Sequence, residues 1–301
     1  MNIYDSLRTV LQEDRILREE LLRNYTYTKL GGKADFIVKP QTYQEVANIV
    51  KVAKKEKIPL TLLGNGSNLI VKDGGIRGVV MLLSELQKME VNGTKLTIQS
   101  GAAIIEASRY ALEHQLTGLE FACGIPGTVG GALFMNAGAY GGEIRDVLSQ
   151  TIVVTQNGDI ITRQASELNL DYRYSNIAEK GDIVLEATFE LKHGNYHDIK
   201  AIMDDLTFKR ESKQPLEYPS CGSVFKRPPG YFAGKLIQDS DLQGKSIGGA
   251  EVSTKHAGFI VNKNNATASE YISLIEHVQK TVKEKYNVHL EREVRIIGED
   301  E

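Results

Sequence analysis

The 301-residue chain is 41% hydrophobic and 25% charged, with a formal charge of −3. That balance suits one large domain or two, each with a full core, and offers no basic face for a nucleic acid or an anionic membrane. The opening segment lacks the apolar core of a signal peptide and no later run is long enough to span a bilayer. The two cysteines, Cys123 and Cys221, exclude a disulfide framework and a Cys-rich zinc site, so a soluble cytoplasmic protein without a metal is expected.

Along the chain, residues 5–23 place Leu7, Val10, Leu11, Leu17, Leu21 and Leu22 at near-helical spacing between charges and predict one or two amphipathic helices. A polar loop with paired glycines (25–33) precedes a strand over 34–38 that Pro40 ends. Thr42 and Glu45 form a capping box that opens a helix to about Lys57. The apolar strand 58–63 then runs directly into Gly-Asn-Gly-Ser-Asn-Leu at 64–69. A strand feeding a glycine loop is a phosphate-site arrangement, because glycine lets backbone N–H groups close around an anion. No Lys-Ser/Thr follows these glycines and no Gly-x-Gly-x-x-Gly occurs, which argues against Walker and Rossmann sites. After a turn at 73–75 comes a strand at 79–82; Asn92-Gly93 and Asn157-Gly158 predict type I′ hairpins, and 102–115 a helix closed by Gly118.

Seven glycines fall from Gly124 to Gly142. They point to a cofactor cradle; a run of tight turns at a sheet edge is the competing reading. Strands, hairpins and helices alternate without a regular βαβ period to about residue 192, which predicts an α+β domain with mixed sheets. A helix over 195–212 would bury Ile199, Ile202, Met203, Leu206 and Thr207, and 214–219 breaks the chain with two prolines. The second unit reads as a loop over 220–229, a helix near 232–239, strands near 250–253 and 258–261, and a long helix capped by Thr267 and Glu270 that ends about Tyr286. A closing strand, 293–297, places Glu291, Glu293 and Arg295 on one face.

Six motifs now coincide in order: Gly-Asn-Gly-Ser-Asn-Leu at 64–69, Gly-Ile-Pro-Gly-Thr-Val-Gly-Gly at 124–131, Asn-Ala-Gly-Ala-Tyr at 136–140, Tyr-Arg-Tyr-Ser at 172–175, Gly-Ser-Val-Phe-Lys at 222–226 and Leu-Glu-Arg-Glu-Val-Arg-Ile-Ile-Gly at 290–298. Together they resemble the UDP-N-acetylenolpyruvoylglucosamine reductase (MurB) family, over nearly the whole chain. The resemblance implies an α+β protein with the FAD-binding fold of the vanillyl-alcohol oxidase type. It implies an FAD domain over 1–205, in two subdomains split near 85–100, a substrate domain over 206–290, and a strand, 291–301, returning to the FAD domain. The short connection from Arg173 to Ser223 is similar to the compact, Gram-positive-type variety.

The family reaction implies an NADPH-dependent, FAD-mediated reduction of an enolpyruvyl ether of a UDP-sugar to a lactyl ether, in cell-wall precursor synthesis. By resemblance, Ser223 is the proton donor, and Arg173 and Glu293 face the substrate carboxylate. A turn serine and two solvated charges are the plain alternatives. The FAD pyrophosphate would lie on backbone N–H groups of Gly64, Asn65, Gly66, Ser67, Asn68 and Leu69 and of 127–131, where Gly127, Thr128, Gly130 and Gly131 count beside Pro126, with Ser67, Asn68 and Thr128 adding side-chain donors. Asn136, Gly138, Ala139 and Tyr140 would line the flavin, and Arg295 would reach the cofactor. No histidine precedes His114, so noncovalent FAD is expected. Arg210, Lys213, Lys226, Arg227 and Lys255 form the pool of cations for the UDP, and Lys226 is also a candidate to hold Ser223 in line. Many family members have Asn where this chain has Arg227. His256 and the two cysteines read as structural. Another flavin oxidoreductase of the same fold and a non-catalytic UDP-sugar binder remain as alternatives, and the sequence leaves oligomeric state open.

Overall fold

The computed structural model describes residues 2–300. By compactness the chain divides into two units: Met1–Arg18, Phe36–Asn65 and Gly78–Lys209 form the first, and Glu19–Asp35, Gly66–Arg77 and Arg210–Glu301 the second. The expected continuous domain over 1–205 is thus interrupted twice, at 19–35 and at 66–77.

The first unit holds a five-stranded antiparallel sheet in the order Ile160–Gln164, Leu148–Val154, Ile183–Glu190, Lys95–Gln99, Met89–Asn92. Alternation along Lys95–Gln99 buries Leu96 and Ile98 in a core shared with Val153, Val184, Ala187 and Phe189. The short helix Val129–Phe134 adds Val129, Ala132 and Leu133 to that core. The helix Tyr43–Glu56 turns Val46, Ala47, Ile49, Val50 and Ala53 inward, the spacing of one helical stripe. Thr42 caps it, accepting from Glu45 N at 3.2 Å. The return half of the box goes elsewhere: the Glu45 carboxylate accepts from Gln41 N and, through both of its oxygens, from Arg15 Nη1. Leu60–Leu63 pairs in parallel with Ile76–Leu82 and delivers the chain into the 64–69 loop.

In the second unit an antiparallel sheet runs in the order Ser220–Ser223, Phe259–Asn262, Ala250–Val252, Ser246–Ile247. The helix Ala268–Tyr286 lays Tyr271, Leu274, Ile275, Val278 and Val282 against the core of this unit. Its predicted capping box is complete, with Thr267 Oγ1 accepting from Glu270 N and Glu270 Oε2 from Thr267 N. Asp73 caps the same end from the strand-loop side, accepting from Ala268 N, Ser269 N and Ser269 Oγ at 2.7–2.8 Å. The closing strand Arg295–Ile297 pairs in parallel with Leu69–Val71.

Three local expectations need correction. Residues 5–23 contain an α-helix only at Ile3–Arg8, with single 3₁₀ turns at Glu13–Arg15 and Leu22–Asn24; Ile16–Leu21 is a strand beside Lys33–Val38, and Glu19 at φ +54 is incompatible with a continuous helix. At the Asn92-Gly93 hairpin only Gly93 has positive φ, the II′ pattern and not I′, and at Asn157-Gly158 only Gly158 does. The helix Ile104–Glu113 is closed by Gln115 in the left-handed region at φ +55, before Gly118 is reached. The helix Tyr196–Lys213 forms as expected, but buries Ile199 and Met203 while leaving Ile202 48% exposed.

Candidate active site

In the first unit the glycine loops are built against each other. A Cβ placed on Gly64 would stand 2.8 Å from Thr128 Oγ1, so the close approach of these two loops depends on glycine. Asn65 Nδ2 donates to Pro126 O at 3.4 Å across the same junction. The second loop is stitched to residues 100–104: Ile104 N bonds Gly127 O, Val129 N bonds Ala102 O and Gly130 N bonds Ser100 O. Thr128 Oγ1 accepts from Gly131 N at 3.2 Å. Val129, Gly130 and Gly131 therefore spend their N–H groups internally, and the expectation that the whole 127–131 backbone faces an anion narrows to Gly127 and Thr128.

The 64–68 segment differs. Among the described residues none of its five N–H groups donates to a protein acceptor. Gly66 is buried and left-handed at φ +60, and its missing Cβ would meet Thr26 Cα at 2.8 Å. Gly64 and Asn65 are exposed and Ser67 and Asn68 half-buried, so these amides are open to what lies outside the protein, and a run of successive amides without protein acceptors is a concavity that suits an anion. Ser100 adds to this reading: its hydroxyl lies buried without a hydrogen-bond partner beside Gly130. These features fit the pyrophosphate of a dinucleotide cofactor. Ser100 was not foreseen, because a serine after a strand carries no signal of its own.

Asn136 is a hub. Fully buried, it donates from Nδ2 to Glu143 Oε2 (2.9 Å) and to Asp171 O (3.0 Å), while Oδ1 accepts from Arg145 N (2.9 Å). Its amide holds two loops together and has no surface left to line a flavin. Gly138–Ala139 and Gly142–Glu143 form a hairpin whose turn residues, Tyr140 and Gly141, both have positive φ, the I′ pattern. Tyr140 is half exposed at the tip. Arg173 is the second of two turn residues closed by reciprocal Asp171–Tyr174 backbone bonds, and is also left-handed, at φ +54. Its Nη2 donates to Gly138 O at 3.2 Å and its guanidinium lies 5.3 Å from the centre of the Tyr172 ring. Three non-glycine residues in the left-handed region, Asn136, Tyr140 and Arg173, on two joined loops are the strained backbone that functional sites collect.

In the second unit the closing strand brings three expected residues to one place. Glu293 N donates to Val224 O at 2.8 Å, directly after Ser223; Asn68 Nδ2 donates to Glu293 O at 3.3 Å; Arg295 N donates to Asn68 O at 3.2 Å. Glu293 is thereby held by the Ser223 strand and by the 66–69 loop together. Its charge also reaches Cys221, whose thiol is pushed up to about 12, first by complete burial and then in part by Glu293. Ser223 is exposed, and a Cβ on Gly222 before it would meet nothing within 4 Å, so glycine serves here for its φ of +74.

Of the cations, Lys226 is spent locally: Nζ pairs with Glu291 Oε1 at 2.5 Å and its N–H bonds Glu291 O. It does not hold Ser223. Arg227 stacks its guanidinium 4.0 Å from the centre of the exposed Phe232 ring. Arg210 and Lys213 lie in the last turn of the helix Tyr196–Lys213, and Lys255 Nζ donates to Glu211 O beside them. His256 accepts from Gly258 N through Nδ1 and packs edge-on against Phe259, and burial holds its pKa below the ordinary value. Cys123 packs with Ile199 and Met203, and both cysteines are buried thiols outside any disulfide. Among the described residues no His, Cys, Asp and Glu cluster could hold a metal, and no helix is long and apolar enough to cross a membrane.

Two family models match: an FAD binding domain over residues 34–163 and the UDP-N-acetylenolpyruvoylglucosamine reductase C-terminal domain over 214–297. The UDP-N-acetylenolpyruvoylglucosamine reductase of Oceanobacillus iheyensis is 70% identical over 299 residues, 99% of this chain and 97% of that protein. A crystal structure of UDP-N-acetylenolpyruvylglucosamine reductase (MurB) from Thermus caldophilus matches with a TM-score of 0.82 at 33% identity, covering 94% of this chain and 98% of the other. At 14% identity and a TM-score of 0.53, the grass pollen allergen Phl p 4, with glucose dehydrogenase activity, shares the fold alone over 65% of this chain and 45% of its own. The α+β fold is thus the FAD-binding type shared with that wider group, and the chain belongs to the UDP-N-acetylenolpyruvoylglucosamine reductase family.

Proposed function

We propose that this chain is the FAD-dependent reductase that turns the enolpyruvyl ether of UDP-N-acetylglucosamine into UDP-N-acetylmuramate for peptidoglycan, with NADPH as electron source. Family membership over 99% of the chain supports the reaction. The geometric observation that carries it is the closing strand, which ties Glu293 to Val224 on one side and to Asn68 on the other. The residue that carries the carboxylate, the strand that ends in Ser223 and the amide-lined loop are tied together there through the backbone, and a reduction at an alkene beside a carboxylate calls on those three groups.

FAD, when bound, would supply hydride chemistry with NADPH as the electron source. Amides of residues 64–68, with Gly127 and Thr128, would hold its pyrophosphate. Ser67 and Thr128 hydroxyls would add donors; Gly138, Ala139 and Tyr140 would serve the flavin, and Asn136 fixes their loop. As negative charge moves into the substrate carboxylate, Arg173 offers it a charged fork and Glu293, when it carries a proton, a hydrogen bond. Ser223 gives its proton to the carbon next to that carboxylate. A serine is a weak acid, so this works only against a strongly basic carbon and with the hydroxyl held in line. The uridine diphosphate is held by Arg210, Lys213 and Arg227, with Arg295 near the cofactor; Lys226 is engaged by Glu291. Residues 1–205 serve the cofactor in two subdomains and 206–290 the substrate, with 19–35 and 66–77 belonging to the same compact unit as 210–290 and the closing segment 291–301. Two buried cysteines outside any disulfide suit the reducing cytoplasm.

The test is spectroscopic. The purified protein should be yellow, bleach with NADPH under anaerobic conditions, and regain colour when the enolpyruvyl substrate is added. Ser223→Ala should bleach at the normal rate and regain colour slowly. A colourless protein that cannot take up FAD defeats the whole reading; normal recolouring of Ser223→Ala defeats the proton-donor role alone.

A further inference from the structure

Ser223 stands at the end of an irregular strand. Ser220 pairs with Val261 and Ser223 with Phe259, so three steps along one strand match two along the other and Cys221-Gly222 forms a bulge. Gly222 at φ +74 permits it. A bulge re-aims the side chain that follows while removing the ladder bond that would have fixed it. Past the bulge the backbone is fixed again where Val224 N donates to Gly258 O; at the bulge itself the structure supplies Tyr271 from the helix Ala268–Tyr286. Its side chain is fully buried; its hydroxyl bonds Ile260 O, the carbonyl facing the bulge, and lies 3.3 Å from Cys221 Sγ.

The direction of these bonds follows from proton count. Burial raises both the Cys221 thiol and the Tyr271 phenol, so each keeps its proton. A phenol has one proton, and a carbonyl can only accept. Tyr271 therefore donates to Ile260 O, and its remaining lone pair takes the S–H of Cys221. Neither residue touches the reacting atoms, and neither belongs to the roles assigned above.

We propose that Tyr271 is a positioning residue for the reaction: the chain from Cys221 S–H through the Tyr271 hydroxyl to Ile260 O clamps the bulge and holds Ser223 in line for proton transfer. This rests on the reading of Ser223 as proton donor. The FAD-loaded protein is compared as wild type, Tyr271→Phe, Cys221→Ser and Cys221→Ala. NADPH should bleach all four at one rate. Recolouring by the enolpyruvyl substrate should slow about tenfold to a hundredfold in Tyr271→Phe, with the half-saturating substrate concentration unchanged, the cost of a misaligned donor. Cys221→Ser, which keeps a donor, should recolour near the wild-type rate, and Cys221→Ala should be slower. Amide exchange in holo Tyr271→Phe should quicken over 220–226 and 259–261 and nowhere else. Wild-type recolouring of Tyr271→Phe, or equal slowing of bleaching and recolouring, overturns the proposal. If Tyr271→Phe does not fold, equal rates for Cys221→Ser and Cys221→Ala overturn it. If Ser223→Ala recolours normally, the proton-donor reading has failed and the clamp has nothing to position.

Discussion

Gly64→Ala isolates the part glycine plays in the cofactor loop. The backbone of Gly64 is not left-handed, so alanine meets no conformational barrier there. The barrier is steric: the new Cβ would lie 2.8 Å from Thr128 Oγ1, where ordinary contact begins at 3.4 Å. Thr128 cannot simply rotate away, because the same oxygen caps Gly131 N at 3.2 Å. Either that cap is lost, at about 1 kcal/mol, or the loops part by roughly half an ångström, with an overpacking cost of about 1–3 kcal/mol. Both outcomes disturb the amides that fit the pyrophosphate. Gly93→Ala is the matched control: it sits at φ +61 with nothing within 4 Å, so it pays about 1–2 kcal/mol of backbone strain far from any cofactor contact. Urea unfolding of the flavin-free proteins should show losses of similar size, while titration with FAD, followed by quenching of flavin fluorescence, should show weakened binding for Gly64→Ala alone. If Gly64→Ala binds FAD as tightly as Gly93→Ala, the two loops do not form the cradle.

Asn136→Ala should cost roughly 2–4 kcal/mol, since three hydrogen bonds at a fully buried site vanish and their partners stay behind; a shift in urea midpoint worth under about 1 kcal/mol would show that Asn136 does not hold the 143–145 and 171 loops. Asp73 makes an acid-side prediction. Burial pushes its carboxyl up, but bonds from the Ser269 hydroxyl and the Ala268 and Ser269 amides, with Arg23 nearby, outweigh that and hold it below the ordinary value. A carboxyl depressed in the fold contributes stability above its unfolded value near 3.9, lost as pH falls through the lower folded value. Asp73→Asn should therefore be less stable by about 1 kcal/mol at neutral pH, in the range of a helix cap partly open to solvent, and the gap should close as pH falls through the lower folded value. A gap that persists in acid would mean that the loss is not one of charge.

Elements with strong local instructions were legible. Thr42 and Thr267 announce their helices because a cap needs only the next three residues, and both helices start where the threonines place them. Residues 16–21 show the limit. Their leucines read as a helix, yet the segment lies beside Lys33–Val38 in a sheet, and strand pairing is decided by a neighbour that a window of sequence does not contain. Turn chemistry failed in a smaller way: Asn-Gly signals a hairpin, but only glycine took the positive φ, so existence was readable and turn type was not.

The site divides along the same line. The glycines of 64–69 and 124–142 advertise backbone that must come close to something, but only the hydrogen-bond ledger shows that Val129, Gly130 and Gly131 are committed to their own fold while residues 64–68 are not. Asn136 and Lys226 erred in the same direction: each lies in a functional motif, and each turned out to spend its polar atoms on Glu143, Asp171 and Arg145 or on Glu291. A motif records that a residue matters to a site without saying whether it faces the ligand or holds up what does. Tyr271 takes this further, since it lies in no motif and reads as one more apolar position on a helical stripe. Its hydroxyl acquires meaning only where residues 50 positions apart, Cys221 and Tyr271, meet across the sheet. Chemistry that touches the substrate is carried by loops, where local sequence is informative; the aim of that chemistry is set by buried contacts between elements remote in sequence, and these are the residues for which a structure is needed.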